Sequence, residues 1–68
     1  MRFEMANRIF RLPDVITHTG LSRSSIYAKI KLDEFPKPIN LSERSVGWLQ
    51  ADIDKWIDKR IQISQQQD

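Results

Sequence analysis

One glycine and the serine two residues after it restrict what this chain can fold into more than any other feature. Leu12-Pro13-Asp14-Val15-Ile16-Thr17-His18-Thr19 reads as a helix two turns long, and Gly20 supplies the left-handed residue that ends it. Pro13 suits the first helical position and Asp14 favours the positive end of the helix dipole. A second helix restarts at once. Ser22 offers a hydroxyl cap, Leu21 precedes it, and Ile26 falls four positions into the new helix, where it can staple back onto Leu21. Two helices joined by a turn this tight form a helix-turn-helix, whose second helix is the one that can lie in a DNA major groove.

At ~100° per residue, Ile26 and Ile30 share the inward side of this second helix. Ser24, Tyr27, Ala28 and Lys31 fall on the opposite half, with Arg23 at one flank and Ser25 and Lys29 at the other. No acidic side chain interrupts that face before Asp33. Pro36-Lys37-Pro38 then stops any helix. Ile39-Asn40-Leu41 and Ser45-Val46-Gly47-Trp48 alternate at period two around Ser42-Glu43-Arg44, the pattern of a small β-hairpin. From about Gln50 a last amphipathic helix brings Ile53, Trp56, Ile57 and Ile61 to one face, with Asp52, Asp54, Asp58 and Lys59 around the other. The predicted class is mainly α with a small β-hairpin, a winged-helix-like helix-turn-helix in the order helix, helix, hairpin, helix. Residues 8–61 form the domain. Residues 1–7 are expected to be a flexible N-terminal arm and residues 62–68 a polar, Gln-rich, disordered tail.

Sixty-eight residues allow one core at most, and a body that small has little interior to spend on a catalytic pocket. With no cysteine and the single histidine His18, neither a disulfide, a Cys-based zinc or iron-sulfur site nor a His-rich metal cage can be assembled. No nucleophile elbow or paired carboxylates accompany the Ser, His and Asp that are present, so no catalytic residue and no cofactor is predicted. Apolar runs are too short for a membrane span or a signal peptide, which leaves a cytoplasmic protein as the expectation. The net charge of +2 hides an asymmetry. Residues 1–31 hold six basic against two acidic side chains, a net of +4, whereas residues 32–68 hold five against seven, a net of −2. A basic half that includes the second helix suits a polyanion.

Arg8-Ile9-Phe10-Arg11-Leu12, Thr19-Gly20-Leu21-Ser22-Arg23-Ser24-Ser25-Ile26-Tyr27, Glu34-Phe35-Pro36-Lys37-Pro38-Ile39 and Glu43-Arg44-Ser45-Val46-Gly47-Trp48 resemble the AlpA-type phage and prophage regulators. The most specific of these are Phe35-Pro36-Lys37-Pro38-Ile39 and Val46-Gly47-Trp48. The resemblance runs from Arg8 to Ile61 and implies a small bacterial DNA-binding transcriptional regulator, similar to phage excisionases. The chain departs from the family where Gly is common, carrying Leu32-Asp33 after the second helix and Ser42 in the hairpin turn.

The DNA-contact candidates are Ser22, Arg23, Ser24, Ser25, Tyr27 and Lys31 on the second helix, Lys37 before the hairpin and Arg44 at its tip. Arginine can donate two bonds to guanine, hydroxyls serve base edges or phosphate, and lysine neutralises phosphate. The alternative for each is a solvated surface side chain. Trp48 and Trp56 read as core rather than as a base-stacking platform, and His18 as a cap on the first helix dipole. The leading function is sequence-specific binding of double-stranded DNA, with the second helix in the major groove and the hairpin as wing. Excision of a mobile element would use the same surface. A protein-interaction adaptor without DNA binding is the rival from another class. Further copies on adjacent sites, an integrase and the transcription machinery are the other partners considered, and no membrane is among them.

Overall fold

A computed structural model describes residues 8–66 of the chain. The elements run β1 (Ile9–Phe10), α1 (Leu12–Thr19), α2 (Arg23–Lys31), β2 (Ile39–Ser42), β3 (Ser45–Leu49) and α3 (Gln50–Gln66). The three strands make one antiparallel sheet in the order β1-β3-β2. The architecture is mainly helical with a hairpin, as the patterning indicates, and it is compatible with a winged helix-turn-helix.

The hairpin turns through Glu43 and Arg44, with Ser42 opposite Ser45, Asn40 opposite Val46 and Ile39 opposite Gly47. The strand β1 is an addition to the sequence reading. It is two residues long, below the length at which a period of two can be seen, yet it pairs Ile9 with Leu49 and Phe10 with Trp48. The Gln50 N–H continues this ladder, donating to the Arg8 carbonyl at 2.8 Å, so β1 carries the chain past the start of α3.

Phe10, Val15, Ile26, Phe35, Trp48 and Ile53 form the buried core, one each from β1, α1, α2, the loop after it, β3 and α3 and none from β2. Leu12, Ile16, Leu21, Ile30, Val46, Trp56 and Ile57 pack around it, which includes the staple residue Leu21 against the cluster that holds Ile26. Burial along α3 decays with distance from the sheet: Ile53 is fully buried, Trp56 and Ile57 are half-buried, and Ile61 is 49% exposed.

Two boundaries differ from the expectation. Helix α1 begins at Leu12, which puts Pro13 at the second helical position rather than the first. The Arg11 N–H is held instead by the Asp14 carboxylate at 3.0 Å. Helix α3 continues to Gln66, five residues beyond Ile61, so most of the segment expected to be a disordered tail is helical. Glutamine is a fair helix former, and an established helix adds one backbone hydrogen bond per residue without needing burial. Residues 67 and 68, like the arm at 1–7, lie outside the described residues. No helix among the described residues is long and apolar enough to cross a membrane.

Candidate nucleic-acid interface

The turn between α1 and α2 is built almost entirely from its own residues. Gly20 takes φ 74°, and its N–H donates to the Ile16 carbonyl at 2.8 Å. A side chain in that conformation would cost ~1–2 kcal/mol, which is why glycine belongs there. The Thr19 hydroxyl bridges the corner by donating to the Val15 carbonyl at 2.7 Å and accepting from the Leu21 N–H at 3.2 Å. His18 Nδ1 donates to the Asp14 carbonyl at 3.1 Å, and its ring lies 4.5 Å from that of Phe10. The histidine thus occupies a structural position at the end of α1.

Both ends of α2 are closed locally. At the N-terminus the Ser22 Oγ accepts from the Ser25 N–H at 3.1 Å and donates to the Ser25 Oγ at the same distance. At the C-terminus the Asp33 N–H donates to Ile30 and the Glu34 N–H to Lys29, at 3.0 and 2.8 Å, the paired bonds of a Schellman motif. Asp33 holds the left-handed position of that motif at φ 64°, so the residue standing where the family often has glycine does adopt glycine-like geometry.

These caps sort the candidate residues. Arg23, Ser24, Tyr27 and Lys31 lie exposed on the outward side of α2, with Ala28 among them. None of the four makes a side-chain hydrogen bond or ion pair with another described residue. Ser22 and Ser25, also candidates, already have their hydroxyls engaged with each other and with the helix end. Arg44 is exposed at the hairpin tip beside Glu43. Lys37 sits in the loop between α2 and β2 with its Nζ 3.6 Å from the Asp33 carboxylate, both side chains more than two-thirds exposed. A pair so solvated adds little stability, and the ammonium is accessible to another anion.

What fixes the loop and hairpin relative to α2 is a pair of indoles. Trp48 Nε1 donates to the Pro36 carbonyl and Trp56 Nε1 to the Glu34 carbonyl, each at 2.9 Å. Phe35 lies between these bonds, 5% exposed, edge-on to Trp56 at 4.9 Å. Both tryptophans, expected as packing residues, thus also act as hydrogen-bond donors, and Phe35, absent from the expected core, joins them. The clue was available in the Pro36-Lys37-Pro38 run, whose two prolines lack N–H groups and so leave neighbouring carbonyls without local partners.

Residues 8–61 match the family model described as "Prophage CP4-57 regulatory protein (AlpA)". The chain belongs to the AlpA family. Over 69 aligned residues it is 39% identical to the "DNA-binding transcriptional activator AlpA" of Escherichia coli K12, an alignment that takes in 93% of this chain and 99% of that protein. It is also 41% identical over 54 residues to "Uncharacterized protein ORF88" of Enterobacteria phage P4, covering 79% of this chain and 61% of the phage protein. AlpA-family membership makes the chain a regulatory protein and not an enzyme. The matched span includes every element from β1 to the turn of α3 that holds Ile61, and with them all the candidate contact residues.

Proposed function

We propose that this AlpA-family protein regulates prophage genes by binding double-stranded DNA sequence-specifically, with α2 in the major groove and the β2–β3 hairpin as a wing on the adjoining backbone or minor groove. The observation that carries this reading is the exposed face of α2. Arg23, Ser24, Tyr27 and Lys31 stand free on a helix whose inward side and both ends are already satisfied, so the face is rigid, acid-free and available. Rigid presentation matters because a guanine is read by two parallel donors at fixed spacing. Arg23 is assigned to a base edge or to a phosphate at the helix N-terminus, and Lys31, Lys37 and Arg44 to phosphates. The K12 relative's name, a DNA-binding transcriptional activator, favours regulation of transcription over excision as the use of this surface.

A nine-residue α2 is about 13 Å long and spans about four base-pair steps. That is too short for a unique site in a genome, so copies are expected to load side by side on their target.

The test is a titration of wild type, Arg23→Ala and Lys31→Ala on random-sequence duplex and on a duplex selected from a random pool. With roughly four phosphate-contacting cations, log affinity should fall against log salt with a slope of about −3 to −4. Loss of a base-reading Arg23 costs ~1–3 kcal/mol on the selected duplex and little on the random one. Loss of Lys31 weakens both alike and reduces the slope by ~1. Unchanged affinity in both variants means that α2 does not enter the groove.

A further inference from the structure

Beside the end of α2, a groove of about 850 Å³ runs between that helix, the following loop, which brings Lys37 to its edge, and α3. Lys29, Lys55, Lys59 and Arg60 line it above a floor that includes Phe35 and Trp56. Lys29 and Lys31 are two residues apart, which turns them ~200° around the helix and sends them to nearly opposite sides. Lys29 is half-buried there. Among the described residues the only ion pair joins Lys37 to Asp33, so these four cations converge on the groove without carboxylate partners. The Arg60 guanidinium lies 5.9 Å from the Trp56 ring centroid, which keeps an arginine fork and an aromatic face together at the wall.

We propose that this groove is a docking site for a short acidic peptide segment of a partner protein, occupied while α2 holds DNA. The charge pattern selects a peptide over a second duplex. Asp33, Glu34 and Asp52 also line the groove, from the loop and the first turn of α3, whereas Lys59 follows about 10 Å further along the helix. A duplex carries a uniform row of phosphates and would meet those three carboxylates. A peptide can place acidic residues on the Lys55–Arg60 stretch alone and set an apolar side chain against Phe35 and Trp56. Of the lining cations only Lys37, at the loop edge, is also assigned to a DNA phosphate, and the Lys55–Arg60 stretch on α3 is left to the peptide.

Occupancy alongside DNA rests on the proposed function, whereas peptide binding to the protein without DNA does not. The full chain is titrated with a synthetic peptide of alternating glutamate and leucine, following tryptophan fluorescence, first alone and then saturated with duplex DNA. Trp56 is the half-exposed reporter, while Trp48 is fully buried. Saturable binding is expected in both states, weakening as salt rises. The double variant Lys55→Gln, Lys59→Gln, both sites exposed, should bind the peptide at least ~10-fold more weakly with an unchanged melting transition, while its affinity for random duplex falls far less. The proposal is overturned by absence of peptide binding, by equal affinity in the double variant, by displacement of the peptide by DNA, or by a parallel loss of DNA affinity. The last two would make the groove part of the DNA surface.

Discussion

Helix α2 and the loop that follows it are neighbours held by different kinds of contact. Every bond that closes α2 joins residues at most five apart: Ser22 to Ser25, Ile30 to Asp33, Lys29 to Glu34. The loop at Glu34–Pro36 is held by indole N–H groups 12 and 22 residues away, on β3 and α3. The proposed reading helix therefore carries its shape in its own sequence, while the placement of the wing depends on the rest of the fold. Local closure leaves the outward side of α2 free to vary with the DNA site without disturbing the fold. The loop has no such freedom.

The strongest way to break this contrast is to remove one indole. Trp48→Ala should cost ~3–5 kcal/mol in denaturant unfolding, because the side chain is fully buried and its loss also strands the Pro36 carbonyl. In a domain this small, that is enough to abolish a cooperative transition. Trp56→Ala, half-buried, should cost clearly less and leave a folded protein. An equal effect of the two would erase the distinction between a core anchor and a rim anchor.

Gly47→Ala probes the sheet beneath the wing. A Cβ there would sit 2.6 Å from Ile9 Cγ2 and 3.1 Å from the Phe10 carbonyl oxygen. The isoleucine could shift but the strand backbone resists, so a loss of ~1–3 kcal/mol is expected in thermal or denaturant melts. A neutral result would mean that β1 is not pressed against β3 as described.

Changes at the caps of α2 should be smaller. Ser22→Ala removes the N-terminal cap and should lower stability by ~1 kcal/mol, with faster amide exchange confined to the first turn of α2. Asp33→Gly should act in the opposite sense, raising stability by up to ~1 kcal/mol by relieving the left-handed strain at φ 64°. The exposed pair with Lys37 that this change deletes is too solvated to offset the gain. If Asp33→Gly destabilises instead, the aspartate side chain has a role in the loop that its geometry does not reveal.

The same contrast explains what could be read from the sequence. The Gly20 turn, the Ser22 cap, the Leu21 staple and the acid-free face of α2 were legible because each is a short-range signal with a fixed offset. The hairpin was legible from alternation, although β2 is exposed along its whole length and gives the pattern little energetic weight. The strand β1 was not legible, since two residues carry no period and its partner lies 38 to 40 positions away. The end of α3 was missed for a different reason. The apolar stripe of Ile53, Trp56, Ile57 and Ile61 ends there, but backbone hydrogen bonding continues to Gln66 through a mostly polar stretch in which Ile63 alone is apolar. Of the candidate contacts, the structure brings Arg23, Ser24, Tyr27 and Lys31 onto one free face and leaves Ser22 and Ser25 engaged in capping. The basic groove beside Trp56 could not be foreseen, because Lys29 and the α3 cations meet only in the folded chain.

Amide chemical-shift mapping, as duplex DNA is added to the full chain, reads out whether the outward side of α2 and the hairpin tip form the DNA surface. Shifts are expected to concentrate at Arg23, Ser24, Tyr27, Lys31 and around Arg44, with the amides of Lys55 to Ile61 nearly unmoved. Shifts centred on Trp56, Lys59 and Arg60, with α2 unaffected, would contradict that assignment.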